Sequence, residues 1–409
     1  MHDVIVVGGG ASGLMAAGRA AARGQRVLLL EKNKKVGEKL RISGGGRCNI
    51  TNAEYDERAL LKHYGKTEQF LYAPFSQFGV KKTFAFFESL ELPLEVEAHQ
   101  RAFPHTRRAA DVVSALEQYA RTSGVDIRTS SPVTKVIQTD GSIAAVRCGE
   151  REYAAKSFIF ATGGVSHPET GSTGDGFAWL TELGHTVVAP TPTIVPLRVA
   201  EAWVKRLAGI ALPGVKITFF SGGKKAFSKS GRVLCTHFGL SGPLILNSAQ
   251  EVADLLHNGT VSAAVDLHPT VDLGVLERQI VQLFDTNKNK TLKNVLKHVV
   301  PEGAAKGIVL LLPKALVEKK VHSITRDERK LLAHALKSLP LTIEGLMGFD
   351  RAVIADGGVP LNEVDTKTMR SKKISNLFLT GDLLHINRPS GGYSLQLCWT
   401  TGAVAGDTA

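Results

Sequence analysis

The stretch Asp3–Gly13, DVIVVGGGASG, decides the reading of the fold. Val4–Val7 suit a buried strand, and Gly8, Gly10 and Gly13 then form GxGxxG at the mouth of an alanine-rich amphipathic run ending near Gly24. A second apolar run, RVLLLE, follows and closes on Glu31. Strand, helix and strand within about 30 residues is the length a right-handed crossover requires, so a parallel sheet is expected. Gly8 permits the tight turn, Gly10 lets the backbone approach a pyrophosphate, and Gly13 lets helix and strand pack closely, while the helix start offers N–H groups to the phosphates. A carboxylate at Glu31 can accept both hydroxyls of an adenosine ribose. At this point NAD and FAD are served equally.

Working outward, 409 residues at 43% hydrophobic allow two or three domains. The mean hydropathy of +0.01 and the lack of an apolar run near the ~20 residues that span a bilayer argue for a soluble chain without a membrane partner. The first residues read as a strand and not as a signal peptide. Cys48, Cys148, Cys235 and Cys398 stand singly, with no CxxC pair, so a reducing cytoplasm and no metal are expected. The net charge of +12 keeps polyanions in view. Lys32, Lys34, Lys35, Lys39, Arg41 and Arg47 can serve a pyrophosphate. Lys288, Lys290, Lys293 and Lys297 are read as a solvated helix face, and nucleic acid is not expected as a partner.

Helical period marks Thr83–Leu90 and Ala109–Thr122. The pieces around Val133 and Val146 alternate like antiparallel strands, and SFIFATGG reads as a buried strand entering a glycine turn. From Val187 to His268 short β-like runs (TIVPLRV, VKITFF, RVLCTH, VSAAVDL) suggest a small barrel or sandwich. LERQIVQLF, LKNVLKHVV and RDERKLLAHALKSL then read as helices. The expected fold class is α/β, a two-dinucleotide-binding-fold domain with a parallel sheet. Its first part is 1–188 and its C-terminal part 346–409, and an inserted β-barrel domain, 189–345, carries a helical subdomain at about 271–338.

Three segments favour FAD over NAD. KVGEKLRISGGGRCNITN follows the acidic strand end directly; Gly44–Gly46 allow close backbone approach to a flat ring, and Arg47 and Asn49 supply donors. FIFATGG gives a second strand-end turn. NLFLTGDLL places Asp382 where a carboxylate can bind ribityl hydroxyls, and Gly391–Gly392 open a helix able to face the flavin N1–C2=O edge.

The block GEKLRISGGGRCNITN, GLSGP, DGGVPLNEVDTKTM and the closing GGYSLQ together resemble the HI0933-like flavoprotein family, with its BaiN-type and aminoacetone-oxidase-type enzymes, over nearly the whole chain. The resemblance implies an FAD domain, an inserted barrel and a small helical domain, with substrate entering between barrel and flavin. By position it assigns FAD contact to Gly8, Gly10, Ser12, Gly13, Glu31, Lys32, Lys39, Ser43, Gly46, Arg47, Thr51, Val133, Ala161, Gly381, Asp382, Gly392 and Gln396. Where the family commonly reads GE-x-x-D-x-x-G-x-x-GGYN, this chain has GDLLHINRPSGGYS. Asp382 therefore replaces Glu, His385 replaces Asp, Ser394 takes the Asn position, and Asn387 and Arg388 stand in an unusual loop.

Flavin carries the hydride chemistry, so the protein positions substrate and supplies at most a proton donor or acceptor. His385 is the first candidate, with a solvent-facing loop histidine as the alternative. Tyr393 at the helix mouth is the second, with simple packing as the alternative. His237 is read as more structural than catalytic. Cys48 invites a redox role but lacks a partner nearby. Arg101, Arg107 and Arg108 suit either an acidic substrate or a solvated helix start. The function expected is FAD-dependent transfer of a hydride between noncovalently bound flavin and a small organic substrate, with NAD(P) or oxygen as the redox partner and NAD(P)H as candidate donor. The alternatives are an aminoacetone-type amine oxidase, an RNA-modifying flavoprotein and a non-catalytic flavin sensor.

Overall fold

The computed structural model describes residues 2–409. They divide into two compact units, one running to Pro192 and resuming over Ala352–Ala409, the other comprising Thr193–Arg351. In the first unit β1 (His2–Val7), α1 (Ala11–Ala22) and β2 (Val27–Leu30) form the expected crossover. Five strands lie side by side and parallel: Asp126–Arg128, β2, β1, Arg151–Phe160 and Leu377–Leu379. Their register sets Val6 opposite both Leu29 and Ile159, and Phe158 opposite Leu377. The central strands are buried on both faces, and their sequences are accordingly continuous apolar runs. The first half of Arg151–Phe160 pairs antiparallel with Ser142–Cys148, which pairs with Lys135–Thr139. Val133 lies in the loop before that hairpin.

The carboxyl ends of β1, β2, Arg151–Phe160 and Leu377–Leu379 share one edge of the sheet, and the turns leaving them begin at Gly8, Glu31, Ala161 and Thr380. This is the edge at which open parallel sheets bind ligands.

Helix α1 is clamped by the C-terminal helix, Tyr393–Thr408, at backbone distance. A Cβ on Gly402 would fall 2.5 Å from Ser12 O, and one on Gly406 would fall 2.4 Å from Ala16 O. Arg19 and Asp407 close the far end with paired hydrogen bonds of 2.9 and 2.6 Å.

A three-stranded sheet of Thr51–Asn52, Arg101–Pro104 and Leu94–Glu97 corrects one expectation. Arg101 belongs to a strand and not to a helix start, because the helix begins only at Ala109, with Arg108 as its N-cap. Arg107 has φ of 53° and faces Glu95 and Glu97.

The second unit contains a closed six-stranded antiparallel barrel, in circular order Leu197–Val199, Gly239–Ser241, Lys224–Cys235, Ala211–Ser221, Val261–Asp266 and Leu339–Leu346. Helices Leu273–Thr286 and Arg326–Lys337 lie between the last two strands in sequence, the second fixed by a Thr325–Glu328 capping box. LKNVLKHVV does not make one helix. It is a single turn, Leu292–Val295, that tightens into a 3₁₀ turn at Leu296–His298, with Lys288 and Lys290 in the preceding turn. Its apolar spacing reflects burial of Leu292, Val295 and Leu296 and not continuous helix. Among the described residues no helix is long and apolar enough to cross a membrane.

A buried network staples the loop Leu361–Ile374 to the end of helix Asp175–Glu182. His185 Nδ1 donates to Glu363 at 2.7 Å, Ser371 Oγ donates to His185 Nε2 at 2.8 Å, and Glu363 also receives Lys373 Nζ at 2.7 Å. Burial alone would raise the Glu363 carboxyl, but its donors hold it down at about 2. Burial pushes His185 below its ordinary 6.5.

Two measurements follow from this packing. Gly402→Leu forces a side chain onto the α1 backbone and should cost about 1–3 kcal/mol or more in urea unfolding, where an unchanged midpoint would contradict the clamp. For pH, both His185 and Glu363 have folded pKa values below their unfolded ones, so acidification protonates the unfolded chain first. Stability should therefore fall as pH drops below 6.5, and His185→Gln should flatten the upper part of that fall.

Candidate functional site

At the first turn the glycines divide by role. A Cβ on Gly8 (φ 105°) would lie 2.5 Å from Ala161 O, and one on Gly13 would lie 1.9 Å from Gly8 O. Those two are demanded by the chain's own packing. Gly10 is different: its φ of −81° suits any residue, and a Cβ there meets no protein atom within 4 Å. The space it leaves is at the start of α1, which has no side-chain cap and no acidic residue in its first turn. Open backbone beside uncapped N–H groups is a cradle for a pyrophosphate.

Glu31 is 7% exposed. Its two oxygens accept from Gly9 N at 2.7 Å and Asn33 N at 2.8 Å. Burial raises its pKa, against the pull of these backbone donors. Ser131 N donates to Glu31 O at 2.9 Å, which brings the loop carrying Val133 to the same turn. Lys32 instead turns to Thr173 and Asp175, at 2.5 and 2.7 Å.

The middle of the edge is built around Asp382. Thr380 Oγ1 sits 3.1 Å from Ser12 Oγ, Gly381 N donates to Thr401 Oγ1 at 3.0 Å, and Gly381 itself holds φ of 61°. These contacts fix the turn that presents Asp382. Lys39 Nζ reaches Asp382 at 3.2 Å and Ser166 Oγ at 2.5 Å, and Arg388 Nη2 donates to the other carboxylate oxygen. Burial opposes ionisation of Asp382, but the Lys39 and Arg388 charges win and hold its pKa at about 2. The Arg388 side chain is only 1% exposed. Its remaining nitrogens donate to Ser394 Oγ at 3.1 Å and Ile386 O at 2.6 Å.

At the last turn, Gly392 (φ 101°) starts the C-terminal helix so close to Thr51 that a Cβ would fall 2.3 Å from the Thr51 carbonyl carbon. Thr51 Oγ1 donates to Gln396 Oε1 at 2.6 Å, while Gln396 Nε2 donates to Thr83 and Thr400 at 2.9 and 3.0 Å. Asn49 accepts from Gly392 N at 3.0 Å when its amide is oriented to suit its neighbours. Tyr393 is buried beside His63, ring centroids 4.9 Å apart, and its carbonyl accepts from Tyr64 Oη at 2.9 Å. Burial raises the Tyr393 phenol, so it stays protonated at neutral pH. Ser43 and Gly46 bound a 3₁₀ turn whose glycines all have positive φ, and Gly45 and Gly46 face open space.

Most of the residues expected at a cofactor thus gather along one sheet edge. Arg47 turns its guanidinium to Glu97 and over the Phe103 ring, 4.2 Å away. His385 is partly exposed and lies 3.3 Å from Asp356. Cys48 is fully buried, and burial pushes its thiol up to about 12, which leaves it inert. His237 is an exposed turn residue of the second unit, edge-on to Phe238. Sequence reading flagged Arg388 only as a departure and missed Ser166 altogether. An Arg replacing a small residue between two fixed turns was the available signal for the first. Ser166 carried none. Among the described residues no group of three or more His, Cys, Asp or Glu could hold a metal ion.

The model of one protein family, described as the HI0933-like protein Rossmann domain, matches residues 2–408. The chain is 30% identical to a 3-dehydro-bile acid delta(4,6)-reductase of Clostridium scindens, covering 100% of this chain and 99% of that one. It is 29% identical to a ribosomal RNA dihydrouridine synthase of Haemophilus influenzae, covering 97% and 96%. Among solved structures, a 3-ketosteroid-delta4-(5alpha)-dehydrogenase from Rhodococcus jostii superposes with a TM-score of 0.55 at 14% identity, covering 100% and 96%. That identity speaks for the fold alone.

Gly10 offers a clean test of the cradle. Gly10→Val should leave the melting temperature of the cofactor-free protein unchanged while weakening FAD binding at least about tenfold, by more than 1.4 kcal/mol. Gly13→Val should instead unfold the turn. Retention of full FAD affinity by Gly10→Val would remove the cradle.

Proposed function

This chain belongs to the HI0933-like family and is an FAD-dependent oxidoreductase, and from that premise we propose that it reduces a carbon–carbon double bond conjugated to a carbonyl. The observation that carries this reading is the end-to-end likeness to two relatives whose named activities share that chemistry. A Δ4,6 double-bond system beside a 3-oxo group is a conjugated dienone, and dihydrouridine arises by reduction of the C5=C6 bond conjugated to the C4 carbonyl. Bound FAD supplies the hydride, with NAD(P)H as the source of its electrons.

The chain's own residues do the rest. The α1 start and the Gly10 opening would hold the pyrophosphate, and Glu31 with the Val133 loop the adenosine. Lys39 and Asp382 would hold the ribityl chain, and Gly392 with the Thr51–Gln396 bridge sets the mouth of the C-terminal helix. That helix start would offer N–H groups to the polar part of the cofactor. Hydride adds to the carbon β to the carbonyl, and a proton must reach the α carbon. Tyr393 supplies it: a buried phenol at the helix mouth stays protonated until the carbanion develops. His385, 3.3 Å from Asp356, is the proton source if Tyr393 is not.

A small organic molecule is the first substrate reading. The second, a uracil base presented by RNA, is favoured by the relatives named for ribosomal RNA and by the exposed lysines at 288, 290, 293 and 297 in a chain of net charge +12.

The purified yellow protein, reduced anaerobically with NADH or NADPH, should be reoxidised by a steroid enone or by unmodified ribosomal RNA. Tyr393→Phe should slow that step about 10²-fold. Reoxidation by neither class, with oxygen alone effective, would discard the double-bond reading. The RNA reading additionally requires binding that weakens steeply with salt.

A further inference from the structure

We propose that Arg388 sets the reduction potential of the bound FAD, by giving the Asp382 edge of the site a net positive charge. Arg388 stands where the pattern GE-x-x-D-x-x-G-x-x-GGYN carries glycine, so the position demands no side chain for the fold of the loop. Here a guanidinium is drawn inside. It joins the two turns between which the loop is strung, with Nη2 on Asp382 and Nε on Ser394 in the first turn of the C-terminal helix. Nη1 donates to Ile386 O at 2.6 Å. The inference rests on the flavin end of FAD lying along these two turns.

The charges at this edge do not cancel. Lys39 and Arg388 are cations and Asp382 is the single carboxylate they share. Two of the groups that feel these charges are neutral, burial raising the Cys398 thiol to about 12 and raising the Tyr64 phenol as well, while His385 and Asp356, 3.3 Å apart, face each other. Asp382 and Lys39 alone would leave the edge neutral. Arg388 adds one positive charge, buried where water and salt screen it poorly. Two-electron reduction of a flavin brings negative charge onto its N1–C2=O region, so a fixed cation beside the helix mouth favours the reduced form. Arg388 is thus a positioning residue by its hydrogen bonds and an electrostatic one by its charge, and the two roles separate experimentally.

The midpoint potential of the bound FAD, measured by anaerobic dye equilibration, reads the charge directly. Arg388→Met should lower the preference for reduced over oxidised FAD about tenfold, which for a two-electron couple is ~30 mV downward. Arg388→Lys should keep the parental value. Asp382→Asn, which removes the carboxylate and leaves both cations, should move the potential upward by a similar amount. A purely structural role predicts shifts of one sign or none. An Arg388→Met potential at or above the parental one, or Asp382→Asn moving downward, overturns the proposal. Should Arg388→Met fail to retain FAD, the sign of the Asp382→Asn shift decides alone, and no shift counts against it. A parental protein that takes up no FAD would instead sink the cofactor site itself.

Discussion

The contact on which the rest of this structure depends is backbone against backbone: α1 and the C-terminal helix meet where Gly402 and Gly406 leave room for the carbonyls of Ser12 and Ala16. No side chain could stand between them. Because α1 opens from the first turn of the chain and the other helix closes it, this approach brings the two ends of the sequence to one sheet edge. Thr401 then receives Gly381 N, Ser12 receives Thr380, and Gln396 reaches Thr51. The site is the by-product of a packing constraint, since each of those hydrogen bonds needs the helices at that spacing.

Two carboxylates at this edge illustrate how surroundings assign roles. Glu31 is surrounded by neutral backbone donors and burial wins, so its proton affinity rises. Asp382 is also largely withdrawn from water but has two cations against it, so it remains firmly ionised. The same chemical group therefore serves as a hydrogen-bonding hinge at one end and as the anchor of a charge cluster at the other. Side chains that sequence reading aimed at the cofactor are partly engaged elsewhere: Lys32 with Asp175, Arg47 with Glu97.

What was legible in the sequence follows from what is local. Strands buried on both faces must be continuous apolar runs, so β1, β2 and Leu377–Leu379 announce themselves, and glycines at left-handed turns such as Gly8 and Gly392 do the same. The FAD-binding class and the α/β fold rest on those signals. Arg101 could not be placed, because a short strand of a minor sheet has its partners at Thr51 and Leu94, far along the chain. LKNVLKHVV misled because its buried residues are spaced like a helix although the chain tightens after one turn. The burial of Arg388 was invisible for a deeper reason: an arginine enters a protein only when several acceptors converge on it, and convergence is a property of the tertiary fold.

The flanks of the barrel unit have one more consequence. Val188–Pro192 and Ala355–Gly358 leave and rejoin the first unit as a paired antiparallel ribbon, so departure and return lie side by side. A segment spliced through adjacent points can be lengthened, trimmed or exchanged without disturbing the register of the parallel sheet. Descent within this architecture can therefore remodel the stretch between 193 and 351 while the strands of the parallel sheet keep their neighbours.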